Sequence, residues 1–397
     1  MPHYNYSLIH LACLPSHITF CPCIPLIMTK IGVGFIGLSA GGGWASAAHL
    51  PYLKSTDKFE IVALTNSSKK SAQESMSKYH IENAEAYDSV EEMVKNSRVN
   101  LVVCAVAVFS HYQLVKPALE AGKDVYVEWP LGATTKEAEE LTKLAKEKGV
   151  RTFVGLQGRA SHLISTLQTL LSEGKIGQLL VSQMSGSACT PETGTKLPPR
   201  YSYFKDREAE GTTGQVMLNI YIGHTVDYMA AVIGEPATVS AELKTTWPTI
   251  DLVDDDKVLE TGITKTADDY VSLHGITANG TTYTYNMRGG DAFAPEEGFA
   301  WDIIGDKGQI RVTGSTIMAN LGAEDYKIRI KDYETGKISD AELDACLDLP
   351  LTAQNVGKLY ESYAAGDSLC TFEDAVQRHK FLDGVFQAAD KSKVVEL

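Results

Sequence analysis

The stretch from Ile31 to Trp44 constrains the fold more than any other. A short apolar run, residues 32–37, opens directly into Leu38-Ser39-Ala40-Gly41-Gly42-Gly43-Trp44. Glycine is needed where a chain leaves a strand, turns tightly and lets an anion approach the N–H groups that open the next helix. Such a turn is informative only between a strand and a helix. Here residues 60–65, 101–106, 124–127 and 152–154 form further β-branched runs, while 90–95, 112–120 and 136–148 carry apolar residues at helical spacing. Strand alternating with helix predicts a parallel sheet wrapped by helices, an α/β domain of the Rossmann type over residues 28–155.

After Leu156 the rhythm changes. Longer strand-like pieces follow at 179–187, 237–243, 269–277, 281–288, 300–305 and 309–313, and Asn279-Gly280 and Asp306-Lys307-Gly308 supply turns between neighbours. One helical stretch, 216–233, interrupts them and stops at Gly234 with Pro236 soon after. Residues 156–360 are therefore expected to form an α+β domain with a mainly antiparallel open sheet. Residues 361–397 are expected to be a helical segment, centred on 372–389, that packs back on the core. A site is expected at the junction of the two domains.

The 36 Lys and Arg against 50 Asp and Glu give a net charge of −14. An acidic surface repels phosphate backbones and anionic lipid, which argues against a nucleic-acid or membrane-surface binder. A small-molecule substrate or a protein partner is the better expectation. Seven cysteines, odd in number and scattered, form no disulfide framework, and Cys21-Pro22-Cys23 lacks the spacer of a zinc or redox pair. No metal site is expected, and a cytoplasmic location is. Residues 1–27 lack Lys and Arg, which disfavours a secretory signal, and Pro15, Pro22 and Pro25 break any spanning helix. They are expected to be a disordered extension that a limited digest removes.

The glycine turn departs from the common dinucleotide fingerprint, because Ser39 stands where a second glycine is usual. Gly37, Ser39, Ala40, Gly43 and Trp44 are the expected pyrophosphate-side contacts. The second strand ends at Asn66-Ser67-Ser68-Lys69-Lys70, where an NAD site usually has a carboxylate for the ribose hydroxyls. With Asn66, Ser67 and Lys69 at that place, NADP is expected in preference to NAD. A solvated helix start capped by Ser67 or Ser68 accounts for the serines but not for the missing acid.

Several blocks in order carry a resemblance. They are Ser110-His111 through Ala121-Gly122-Lys123-Asp124-Val125 to Glu128-Trp129-Pro130-Leu131, then Gly174-Lys175-Ile176-Gly177, Gly223-His224-Thr225-Val226-Asp227 and Gly305-Asp306-Lys307-Gly308-Gln309-Ile310. From Ile31 onward the chain resembles the Gfo/Idh/MocA dehydrogenase family. In Gly37-Leu38-Ser39-Ala40, Gly43-Trp44, Val127-Glu128-Trp129 and Leu156-Gln157-Gly158-Arg159 it is closer to a branch of that fold formed by fungal galactose-pathway repressors, which bind a cofactor and regulate transcription through a protein partner. The resemblance implies hydride transfer between a nicotinamide and a sugar-like or other small alcohol or carbonyl compound, and it implies a homodimer. It places His111, Glu128, Trp129 and Arg159 near the cofactor and His224, Tyr221 and Asp227 near the chemistry.

The proton relay that the resemblance implies is a lysine, an aspartate and a histidine. The lysine position holds Trp129 and the aspartate position Ile220, so only His224 remains. Tryptophan has no titratable proton and isoleucine no polar atom. Three outcomes stay open: His224 is the base with Tyr221, Tyr126 or Tyr203 as auxiliary donor; the reaction needs little proton transfer, as in reduction of an activated double bond or an imine; or the protein binds NADP as a sensor and does no chemistry. Asp227, three residues beyond His224, either orients the imidazole or serves packing. Trp129 either stacks on the ligand or fills the lysine's space, and Arg159 meets either phosphate or a structural carboxylate. Between the two function classes, an oxidoreductase with an atypical relay is preferred to a regulator, which would also be nuclear.

Overall fold

The protein is described by a computed structural model over residues 30–187, 194–207, 216–254, 257–322, 324–367 and 369–397. The expected N-terminal extension, residues 1–27, lies outside the described residues.

The first domain contains β1 (Ile31–Ile36), a π-helical turn (Ala45–His49) running into α1 (Leu50–Ser55), β2 (Phe59–Thr65), α2 (Lys69–Lys78), β3 (Glu85–Tyr87), α3 (Val90–Met93), β4 (Leu101–Cys104), α4 (His111–Glu120), β5 (Asp124–Val127), α5 (Thr135–Lys148) and β6 (Thr152–Val154). Its six parallel strands run β3-β2-β1-β4-β5-β6, so chain direction across the sheet reverses between β1 and β4. In such a sheet the crevice beyond those two strand ends is where a ligand binds. Strand β4 is shorter than expected: pairing stops at Cys104, and residues 105–107 leave the sheet to wall that crevice. The strands are apolar throughout because both faces are covered, and Val33, Phe35, Leu64, Val102 and Val125 are all fully or nearly fully buried. Local chemistry fixes the helix ends: Thr134 accepts a bond from Glu137 N at the start of α5, and Gly149 closes it with φ +65°.

The second domain follows with α6 (His162–Ser172), β7 (Leu179–Ser187), β8 (Lys196–Leu197), α7 (Val216–Ile233), β9 (Thr238–Lys244), β10 (Thr249–Asp254), β11 (Lys257–Thr264), β12 (Tyr270–Ile276), β13 (Thr282–Arg288), β14 (Phe299–Gly305), β15 (Gly308–Gly314), β16 (Lys327–Asp332) and β17 (Ile338–Ala341). The chain ends with α8 (Leu351–Ala364), α9 (Phe372–Lys391) and β18 (Val395–Glu396). Nine strands form one sheet, β17-β16-β15-β14-β7-β13-β12-β9-β18, antiparallel except for the parallel β7–β13 pair. Inward residues such as Met184, Tyr285 and Trp301 are buried against α7, while the other face is polar.

The expected boundary at residue 360 falls inside α8. That helix was not foreseen, because Gln354, Asn355 and Gly357 interrupt its apolar stripe although all three are buried. Helix α9 packs on α5 and β9, and α8 packs on the turn Ala45–His49, so the C-terminal helices join the two domains behind the crevice.

Candidate active site

The glycine turn is built as its residues require. Gly37 has φ +95° and donates its N–H to Thr65 O at 3.1 Å; a Cβ there would lie 2.5 Å from Val106 Cγ1 and 2.6 Å from Ala105 O. Gly42 and Gly43 have φ of +89° and +123°, and nothing lies within 4 Å of where their Cβ atoms would stand. The loop is held from below: Ser39 Oγ accepts from Gly41 N at 3.0 Å, Tyr79 donates to Ser39 O at 2.8 Å, and Lys78 donates to Ala40 O. A cradle that no side chain could share, with open space above its last two glycines, fits a pyrophosphate.

Two chambers flank the turn and share Gly37 and Val106 as their common wall. The first encloses about 690 Å³ and is lined by Ser39, Ala40, Asn66 and Ser67 as expected. Two expectations there are corrected. Lys69 is not among its lining residues, and Lys70 pairs along the helix with Glu74 at 3.8 Å. Glu74, Asp88 and Glu91 do line it, so the rim is acidic where donors alone were expected. Asn66 turns its amide N–H groups inward, to Leu38 O at 3.0 Å and Ser75 Oγ at 3.2 Å, tying the loop to α2.

The second chamber, about 530 Å³, lies between the domains. Gly43, Trp44, Glu128, Trp129, Gln157, Ile220, Tyr221, His224 and Asn320 are among its lining residues. Trp129 fills the expected lysine position: its Nε1 donates to Asn219 O at 3.0 Å, its ring centroid lies 4.8 Å from that of His379, and a Cβ on Gly223 would fall 2.4 Å from the indole. Gly223 is thus the partner that makes room for the tryptophan. His224 is buried, and desolvation pulls its pKa down to about 4, so the imidazole is neutral at pH 7.

Four side chains around this chamber carry buried polar atoms without a hydrogen-bond partner: Trp44 Nε1, both amide atoms of Gln157, His224 Nδ1 and Asn320 Oδ1. Each such atom costs roughly 1–3 kcal/mol unless something fills the space and pairs with it. Gln157, His224 and Asn320 are 1%, 6% and 2% exposed, so bulk water does not repair the deficit.

Three expected site residues lie elsewhere. Arg159 and Asp227 meet each other, Nε to Oδ2 at 2.7 Å and NH2 to Oδ1 at 2.8 Å, and Arg159 also donates to Asp374 Oδ1 at 3.0 Å. Arg159 is therefore a structural partner, not a phosphate ligand. Asp227 is fully buried and engaged by Arg159 and Arg378, so it does not orient His224. His111 is a backbone staple, with Nδ1 2.8 Å from Pro130 O and Nε2 3.1 Å from Val106 O. The side chain of Tyr203 lies outside the described residues.

Residues 31–156 match the oxidoreductase family with the NAD-binding Rossmann fold, Gfo/Idh/MocA, and residues 163–314 match the C-terminal domain of Gal80p. The chain joins a Gfo/Idh/MocA Rossmann domain to a Gal80p C-terminal-like domain. Among its curated relatives, the dehydrogenase aclE of Aspergillus oryzae is 28% identical over 371 residues, spanning 92% of this chain and 97% of the relative. The galactose/lactose metabolism regulatory protein GAL80 of Saccharomyces cerevisiae is 29% identical, spanning 80% of this chain and 75% of the relative. The solved structure of the transcriptional regulator Gal80p from Kluyveromyces lactis superposes with a TM-score of 0.81 at 26% identity, over 93% of this chain and 92% of that one. A levoglucosan dehydrogenase in complex with NADH and levoglucosan shares the fold, with a TM-score of 0.74 at 18% identity, over 93% of this chain and 99% of that one.

This Gal80p-like chain also contains a buried chain of groups that sequence reasoning missed. Glu128 Oε1 lies 2.8 Å from His49 Nε2, and His49 Nδ1 lies 2.9 Å from the Tyr360 hydroxyl. With Nε2–H donated to the carboxylate, Nδ1 is left to accept from the tyrosine. A Cβ on Gly155 would stand 2.7 Å from Glu128 Oε2, so that glycine admits the carboxylate. No motif in the sequence links residues 49, 128 and 360; the first domain pairs His49 with Glu128, and helix α8 brings Tyr360 to them.

Proposed function

We propose that this chain binds a nicotinamide dinucleotide across the two chambers and transfers hydride between it and a small polar molecule in the second chamber. The observation that carries this reading is the set of unpartnered buried polar atoms on Trp44, Gln157, His224 and Asn320, converging beside a glycine cradle. When bound, the dinucleotide supplies or accepts the hydride. Gly37, Gly42 and Gly43 give the pyrophosphate its approach, and Asn66, with its N–H groups committed to the loop, offers its carbonyl oxygen to the ribose hydroxyls. The acidic rim of Glu74, Asp88 and Glu91 favours the cofactor without a 2′-phosphate, so NAD replaces the NADP expected from the sequence. The neutral His224 imidazole holds the substrate's polar group, while Trp129 and Ile220 exclude water from the reacting face.

A second reading, a dinucleotide-sensing regulator, is favoured by the loss of the lysine and aspartate together with the match to the Gal80p C-terminal domain. Calorimetry with NADH and NADPH, followed by a turnover screen over alcohols, ketones and imines, separates the two. Cofactor binding with turnover supports the oxidoreductase, and cofactor binding without turnover supports the sensor. Absence of binding to either dinucleotide removes both.

A further inference from the structure

The second chamber has an electrostatic character that its ancestry does not explain. Among its described lining residues none is Lys or Arg, and Glu128 is the one acidic residue. Aromatic residues border it, Trp44, Trp129, Phe204 and Tyr221. Carbonyl oxygens of Gln157 and Asn320 are buried and unpartnered. A carboxylate, aromatic walls and free carbonyl acceptors together form the environment that stabilises a cationic N–H group. At the end of the chamber away from the glycine cradle, the same surroundings penalise a carboxylate ligand, which would be buried beside Glu128 with no Lys or Arg among the described lining residues to meet it.

The network behind Glu128 keeps this character fixed. His49 holds Oε1 at 2.8 Å and is itself held by Tyr360, and both of these residues are fully buried. The carboxylate is thus oriented by groups that cannot reach solvent. The unpartnered donors, Trp44 Nε1 and Gln157 Nε2, require in addition an oxygen acceptor on the ligand.

We propose that the second chamber takes a small protonated amine or imine that also carries a hydroxyl or carbonyl oxygen, with Glu128 as its counter-ion. The redox half of this proposal rests on the function given above, and the binding half does not. For a protonated imine, hydride from a reduced nicotinamide forms a C–H bond at the imine carbon as the C=N π pair moves onto nitrogen. The imine is reduced to a neutral amine, the nicotinamide is oxidised, and no proton donor takes part. Loss of the lysine and aspartate is then no handicap, because this substrate arrives already protonated.

The test is calorimetry on the full chain, with and without saturating NADH, using three probes. These are 3-hydroxypiperidine, protonated at pH 7; its neutral isostere 3-hydroxytetrahydropyran; and the anion lactate. The expected result is that the cation binds at least about tenfold more tightly than the neutral ring, with no heat from lactate. Glu128→Gln should bring that ratio close to one. If Glu128→Gln fails to fold, Asn320→Ala should weaken the cation severalfold, and the wild-type ratio needs no variant at all. Equal or tighter binding of the neutral ring or of lactate overturns the proposal. Cation selectivity without NADH binding would leave the binding half standing and remove both the redox half and the proposed function. NADH binding without cation selectivity would overturn the proposal and leave the proposed function standing.

Discussion

Arg159 grips Asp227 through two parallel hydrogen bonds, at 2.7 and 2.8 Å, with the carboxylate fully buried and Arg378 on its other side. Arg378 is itself fully buried and also bonds Glu235 at 2.9 and 3.1 Å. This cluster ties α7 to α9 and to the segment after β6. Removing one member of a buried ion pair leaves the others uncompensated, at a cost of about 3–5 kcal/mol. Asp227→Ala should therefore lower unfolding free energy in urea by about that amount, while NADH affinity at 10 °C changes by less than about threefold. A variant of normal stability that has lost cofactor binding would show that the carboxylate belongs to the site after all.

Gly37 gives a second prediction, because it is constrained twice. Its φ of +95° disfavours any side chain, and a Cβ would press on Val106 Cγ1 and Ala105 O, the latter a backbone atom that cannot swing away. Gly37→Ala should cost about 1–3 kcal/mol and push apart the shared wall of the two chambers. Gly42 has φ +89° but open space, so Gly42→Ala should cost only about 1–2 kcal/mol from backbone strain. NADH titration should show binding lost in the first variant and weakened in the second; the opposite order would mean that the turn is not the cofactor cradle.

Much of this layout was legible in the chain. The glycine turn and the alternation of strand and helix were enough for five of the six strands of the first sheet, since periodicity and turn chemistry are local; the edge strand β3, three residues long and without a buried face, was not readable. The pair Asn279-Gly280 correctly joined β12 to β13. The β10–β11 hairpin was not foreseen, because β11 is almost wholly exposed and shows no inward–outward alternation. At the site, the replacements at Trp129 and Ile220 were readable because a resemblance fixed their positions. Gln157, Asn320 and the His49–Glu128–Tyr360 chain were not, because their meaning comes from contacts between residues up to 311 positions apart. The choice between phosphate and carboxylate for Arg159 stayed open for a related reason: a cation's partner is set by tertiary placement, both alternatives suit the same local sequence, and the structure gives it Asp227 and Asp374.

A third prediction concerns pH. Burial lowers the pKa of both His224 and His379 to about 4, and it also lowers those of His111 and His162. The unfolded chain takes up protons on these groups near pH 6.5, whereas the folded chain resists doing so until about pH 4. Stability from this source is present above about pH 6.5 and is lost as pH falls toward 4, on the order of 2 kcal/mol per strongly shifted histidine by pH 5. Urea unfolding at pH 7 and pH 5 should show that loss, and His379→Gln should reduce the difference by roughly one such step. A flat profile across this interval would mean that these imidazoles are solvated.

The last prediction joins the proton relay to the charge of the second chamber. Trp129 stands where the resemblance implies a lysine, with its indole against Gly223 and His379, and Ile220 lines the same chamber where an aspartate is implied. Replacing both, Trp129→Lys with Ile220→Asp, installs a donor and its counter-charge in space the indole vacates. Oxidation of polyols with NAD should rise by on the order of a hundredfold over the parent chain, the usual contribution of a positioned acid–base group, read as NADH absorbance. Trp129→Lys alone adds a cation facing Glu128 and should abolish binding of protonated amines through repulsion and loss of the aromatic wall. Gain of alcohol oxidation in the double variant together with loss of amine binding in the single one is the joint signature expected of a scaffold whose chemistry was redirected by these two exchanges. A double variant that folds, binds NADH and still leaves polyols untouched would show that the chamber's geometry, and not the missing relay, sets what the protein accepts.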